Sequence, residues 1–216
     1  MSPAEEPHIL LSPLGRIDEH ILPSLRSAIS QVYGLPTQIA SLLQGVDFAY
    51  SPERRQYHST SILKELAATL TPAQIKVLGI CSVDLFIPIL THVFGEAELN
   101  GRASLISTYR LNEDLPAQSW HTVYLDRVVK EGLHELGHTF NLKHCPDPRC
   151  IMHYCRHIAD VDHKERSLCR YCRIFVADAL QELGLAERLG PAARPNHTDM
   201  LHRDHGVPDK GSGESA

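Results

Sequence analysis

The sequence predicts an α/β protein of α+β character, with a mixed, mostly parallel twisted sheet, packed helices and one antiparallel edge strand. Three observations carry this. Apolar runs of strand length alternate with segments of helical period, which implies parallel pairing with helices packed on the sheet. The run IKVLGICSVDLF, 75–86, is apolar and β-branched up to Cys81, as a strand covered on both faces is. Asn100-Gly101, between THVFGEAEL and RASLISTYRL, is a strong hairpin signal and makes one edge strand antiparallel.

Taken in order, HILLSPL (8–14) reads as the first strand. Ile17, Ile21, Leu22, Leu25, Ala28, Ile29 and Val32 then recur at helical spacing. Pro23 is tolerable only in a first turn, which puts the start of the regular helix near it, and Gly34 with Pro36 ends it. Residues 37–43 are a second strand candidate, 46–59 reads as a loop without a period, and 60–70 as a helix. From Ala117 to Asn141 the pattern is helical again, with Trp120, Tyr124 and Val128 as a core-facing stripe. Residues 145–168, rich in Cys, Pro, His and charge, suit a metal-organised loop, and a last helix runs from Cys169 to Leu183, is ended by Gly184 and restarts briefly to Leu189. The tail, 190–216, holds three Pro and four Gly and too few apolar side chains to offset chain entropy, so it is expected to be disordered. His197, His202 and His205 in that tail are taken as solvated. The domain expectation is therefore 1–141 with the sheet and long helix, 142–189 as a small C-terminal subdomain, and 190–216 as tail.

Composition excludes some functions. A formal net charge of −5 argues against a nucleic-acid or anionic-membrane binder. Between Lys143 and Arg173 a small basic excess exists, but a solvated loop shows the same. No apolar run reaches the 18 or more residues of a membrane span, and Glu5 and Glu6 stand where a secretory signal carries positive charge, so the expected location is cytoplasmic. Five of six cysteines crowd into 145–172, which suits thiolate metal ligation in a reducing compartment better than disulfides. Cys81 reads as a buried core thiol.

The chemistry concentrates in HELGHTFNLKH, 134–144. On a helix, His134 and His138 lie one turn apart on one face and reach a single zinc ion, with Glu135 beside them aimed at the metal-bound water. His144 joins only if the helix ends near residue 141, and Asn141 tolerates the left-handed conformation such an ending needs. The match is to HExxHxxGxxH with Asn in place of Gly. Three neutral imidazoles leave the ion its full charge, so that Glu135 can take a proton from an acidified water and pass it to a leaving amine. Cys145, Cys150, Cys155, Cys169 and Cys172 offer five thiols for a second, tetrahedral site. The Cys169/Cys172 pair has CxxC spacing and is the firmer half; for the rest, sequence physics leaves Cys145, Cys150 and Cys155 in competition.

HELGHTFNLKHCPDPRCIM followed by CRYC resembles the signature of the archaemetzincins, zinc metallopeptidases with a metzincin-type motif and a four-cysteine site. SPLG, SPERRQY, the strand end carrying Asp84, VFGEAELNGRASLIS and YRL resemble the family's other blocks, over roughly 8–184. The resemblance implies a metzincin-like fold, a catalytic zinc on His134, His138 and His144, and Glu135 as general base. It further implies a structural zinc on Cys145, Cys150, Cys169 and Cys172, Met152 as the Met-turn residue beneath the catalytic ion, and Cys155 as a free thiol. His153, His157 and His163 are expected at the surface or outside the ligand sets. The expected activity is zinc-dependent hydrolysis of a peptide or protein substrate by a monomer with two zinc ions; the alternative is a weak or inactive zinc protein that binds a peptide or partner. The outer side of the edge strand offers unpaired backbone groups to an extended peptide.

Overall fold

The computed structural model describes residues 6–185, so the tail and the helical restart before Leu189 lie outside the described residues. The main sheet has the order β2-β1-β5-β8-β7. Its strands are β1 (His8–Pro13), β2 (Thr37–Ile39), β5 (Gln74–Cys81), β7 (Gly95–Ala97) and β8 (Ala103–Ser107). β2, β1, β5 and β8 are parallel, and β7 runs antiparallel to β8 at the edge. The hairpin turns at Asn100, which takes a positive φ of 56°.

Alternation along the strands divides the core into two layers. Ile9, Leu11, Leu78, Ile80 and Ile106 share one apolar layer with α1 (Ile21–Tyr33) and α3 (Trp120–Thr139), and α5 (Arg170–Glu182) joins the same cluster through Val176, Ala177 and Leu180. Leu10, Val77, Cys81, Ala103 and Leu105 face α2 (Ser59–Ala68) through Ile62, Leu63 and Leu66. Cys81 is fully buried, as expected of a core thiol. Each such aliphatic side chain contributes about 1.5–3 kcal/mol by leaving water.

Several boundaries differ from the sequence expectation. α1 starts at Ile21, two residues before Pro23, because the first helical N–H groups have no partner in the helix and a proline there forfeits none. β2 is only three residues long. The 75–86 run breaks after Cys81, and its end, β6 (Leu85–Phe86), leaves the main sheet. Residues 46–59 are not simply a loop: β3 (Tyr50–Ser51) and β4 (Gln56–His58) form a hairpin, and β4 pairs in parallel with β6. Strands this short carry no readable period. Within 145–168 a short helix, α4 (Ile158–His163), forms. α3 begins at Trp120 rather than Ala117, and Trp120 is half exposed instead of packed in the core, since burial along this helix starts near Arg127. Among the described residues no helix is long and apolar enough to cross a membrane.

Candidate active site and metal centres

α3 ends where the sequence requires. Asn141 has φ 64°, its N–H donates to the His138 carbonyl at 3.0 Å, and the Leu142 N–H reaches back to the Gly137 carbonyl at 3.2 Å. This pair of bonds is a Schellman ending with Asn at the left-handed position, and it turns the chain so that His144 returns to the helix. Two further donors hold the same end. Lys76 Nζ on β5 donates to the Thr139 carbonyl at 2.6 Å, and the Asn100 N–H at the hairpin tip donates to the His138 carbonyl at 3.0 Å.

His134 Nδ1 donates to the Ile151 carbonyl at 2.8 Å and His138 Nδ1 to the Leu142 carbonyl at 2.7 Å. With those protons committed, both Nε2 atoms present lone pairs, and they lie 3.2 Å apart. Two lone pairs at that distance repel unless a cation lies between them. The separation also matches the edge of a tetrahedron with Zn–N bonds of about 2.05 Å, roughly 3.3 Å. His144 completes a set whose ligand atoms all lie within 4.8 Å of one another, with the Tyr154 ring packed on its outer side at 4.8 Å. Burial lowers the pKa of all three histidines, most strongly at His134, and Lys164 adds to the effect, so they are neutral at ordinary pH and free to coordinate. The residues fit a zinc ion.

Glu135 is buried beside them. Burial raises its pKa well above the carboxylate range, the Glu131 charge adds to this, and Lys164 opposes it. It faces β7 closely: a Cβ on Gly95 would lie 2.6 Å from Glu135 Cγ. One turn back, Glu131 Oε1 pairs with Lys164 Nζ at 2.6 Å, both fully or nearly buried. The cleft over these groups has a volume of about 760 Å³, and Leu90, Val93 and Phe94 wall it, with Tyr154 also in its lining. The small second sheet braces that wall: Arg54 donates to the Leu90 and Thr91 carbonyls at 2.9 and 3.1 Å, and Gln56 to Thr91 at 2.9 Å and to Asp84 at 3.0 Å.

Four of the five candidate cysteines cluster. Cys145, Cys150, Cys169 and Cys172 bring their Sγ atoms within 4.8 Å of one another, without disulfides. Cys145 and Cys169 Sγ are 3.7 Å apart, against roughly 3.8 Å for the edge of a tetrahedron with Zn–S bonds of about 2.3 Å. Burial pushes the Cys145 thiol up, and a hydrogen bond between Cys172 and Cys150 pushes Cys172 up while holding Cys150 down. Cys155 lies outside this group and lines the cleft instead. Met152 is fully buried against α3, so close that a Cβ on Gly137 would lie 2.5 Å from its Sδ. His153, His157 and His163 join neither ligand group: His153 and His163 bond backbone carbonyls, and His157 caps α4. The sequence reading missed Glu131, Lys164, Gly95 and Lys76. A glycine inside an edge strand was the one available signal, since it marks close approach of another group.

Imidazoles converging at the end of a helix beneath an edge strand, with a buried carboxylate next to the first of them, define the class of zinc-dependent hydrolases. Comparison narrows the class. The profile of Peptidase family M54 matches residues 29–177. The archaemetzincin of Methanocaldococcus jannaschii is 36% identical over 170 residues, covering 76% of this chain and 89% of its own. The crystal structure of the Methanopyrus kandleri archaemetzincin superposes with a TM-score of 0.68 at 34% identity, over 81% of this chain and 96% of that one. That of Archaeoglobus fulgidus, complexed with malonate, gives 0.66 at 35% identity, over 78% and 99%. This chain belongs to peptidase family M54, the archaemetzincins, and is a zinc metallopeptidase acting on peptide or protein substrates.

Proposed function

We propose that His134, His138 and His144 hold the catalytic zinc, that Glu135 is the general base, and that Cys145, Cys150, Cys169 and Cys172 hold a structural zinc. The observation that carries this is the pair of Nε2 lone pairs at 3.2 Å whose Nδ1 protons are already committed to carbonyls. When bound, zinc acidifies a water toward pKa about 7, polarises a carbonyl, and by its charge draws the Glu135 carboxyl back toward ionisation. Glu135 takes the proton of the attacking water and delivers it to the leaving amine. β7 presents its free edge to an extended peptide, while Leu90, Val93, Phe94 and Leu99 exclude water around the scissile bond.

The segment from residue 142 acts as a zinc-stapled lobe. Its cysteine site fixes the turn that carries Met152, since the Cys145 N–H donates to the Met152 carbonyl at 2.8 Å and the His153 N–H to the Cys150 carbonyl at 2.9 Å. The working form is a monomer in the cytoplasm that does not engage nucleic acid, in keeping with the net charge of −5. A pure peptide-binding module is not favoured, because it has no use for a buried Glu135. Substituting Glu135→Gln tests the role directly. Turnover of a mixed peptide library falls about 10²–10⁴-fold while the zinc content is kept; full turnover in that variant overturns the assignment.

A further inference from the structure

Far from the catalytic centre, Asp18, His20 and His121 form another group of metal-competent side chains, with one ligand atom from each within 4.8 Å of the others. His121 is the second residue of α3 and precedes His134 by thirteen residues, which is about 20 Å along the helix. Asp18 and His20 sit in the turn that leads into α1. The geometry points to a zinc site here, made of two imidazoles and one carboxylate, that clamps the start of α1 to the start of α3.

Three features make the group more than a chance meeting of surface side chains. The His20 backbone N–H donates to Asp18 Oδ1 at 2.8 Å, which folds the carboxylate back over its own turn and holds it near the His20 ring. The two rings meet edge to face, with centroids 5.1 Å apart and planes at 89°. Their partners come from segments a hundred residues apart in sequence, so ligation here cross-links two elements instead of decorating one. A tetrahedral zinc site requires donor separations of about 3.3 Å, so no pair in the group has to close by more than about 1.5 Å. The His20 side chain is 59% exposed, which leaves it conformational freedom to close on the other two. Glu19 Oε1, 3.8 Å from His20 Nε2, is placed to supply a further oxygen. Imidazole with carboxylate suits Zn²⁺, and the exposure makes this the weakest of the chain's zinc sites.

The test uses the full chain carrying its tightly bound zinc, titrated with Zn²⁺ by calorimetry beside His121→Ala and His20→Asn variants. The wild type takes up one additional zinc and its Tm rises with added Zn²⁺. Loss of a supporting hydrogen bond already costs about 10–100-fold in metal affinity, so loss of a direct ligand weakens this site at least tenfold. Both variants therefore lose the additional zinc and the Tm response, yet keep the wild-type content of tightly bound zinc and the peptide turnover. Absence of additional zinc in the wild type overturns the inference. So does additional zinc that both variants still bind, which would place it in the tail histidines or the cleft.

Discussion

Lys164→Met removes the cation from the ion pair beneath the active site while keeping most of the side chain's apolar stem. The partner left behind, Glu131, has a side chain only 4% exposed, so water cannot replace the lost ammonium. Breaking a buried pair from one side costs about 3–5 kcal/mol, because the remaining charge stays desolvated. In a chain of this size that is about 6–20 °C in Tm, at roughly 2–4 °C per kcal/mol. Removing both charges together, with Glu131→Gln in the same chain, restores most of the loss, since no unpaired charge remains buried. The pH dependence has a definite sign. Burial alone would lower the Lys164 pKa, but the Glu131 and Cys155 charges and the Glu131 hydrogen bond outweigh it and raise it above 10.5. The pair's contribution is therefore fully present below the unfolded pKa of 10.5 and is lost only as pH rises through the higher folded value. The gap between wild type and Lys164→Met should stay constant from neutral pH to about pH 10. The assay is thermal unfolding at fixed free zinc, so that metal linkage is the same for every variant. A single variant that loses less than about 1 kcal/mol, or a double variant no more stable than the single, refutes the reasoning.

Other perturbations probe neighbouring parts of the site. Gly95→Ala drives a methyl group to 2.6 Å from both Glu135 Cγ and the Leu105 carbonyl oxygen, so the edge strand or the carboxylate must shift. Peptide turnover should fall by at least about tenfold with a stability loss of about 1–3 kcal/mol, and wild-type kinetics would show that this approach is looser than described. Asn141→Gly should leave zinc content and activity little altered, whereas Asn141→Val, a β-branched residue at φ 64°, should cost about 1–2 kcal/mol and weaken zinc binding. Equal behaviour of the two in unfolding and zinc titrations would remove the left-handed turn from the account. In the metal-free chain Cys145 and Cys172 have raised pKa values and are protonated at neutral pH, so zinc must displace a proton from each. Affinity at the cysteine site should fall by at least about 100-fold for each unit of pH lost between 8 and 6, followed by chelator competition, and a slope below tenfold contradicts the protonation state.

The parts legible in the sequence are those where local chemistry dictates geometry. His134 and His138 fall on one face because the helix period puts them there, and Asn141 marks the helix end because few other residues accept its φ of 64°. The parallel core strands were visible because β1 and β5 are apolar on both faces. Choosing Cys150 over Cys155 was beyond spacing alone: it depends on the turn after Asp147, where the Cys150 N–H donates to the Asp147 carbonyl at 3.1 Å. Lys164 and Glu131 were equally invisible, being paired across 33 residues between a helix and a loop. The 46–59 hairpin escaped notice because two- and three-residue strands gain their order from the Asp84, Leu90 and Thr91 groups they hold, which lie far along the chain.

The central claim is that one helix end and one loop hold two zinc ions with different duties. It is tested most directly by the zinc-to-protein ratio of chain purified without added metal, measured by atomic emission for the wild type and for the Cys169→Ser/Cys172→Ser double variant. The account predicts two zinc ions per wild-type chain and one in the variant, with the remaining ion on His134, His138 and His144. A ratio of one in the wild type, or an unchanged ratio in the variant, would contradict it.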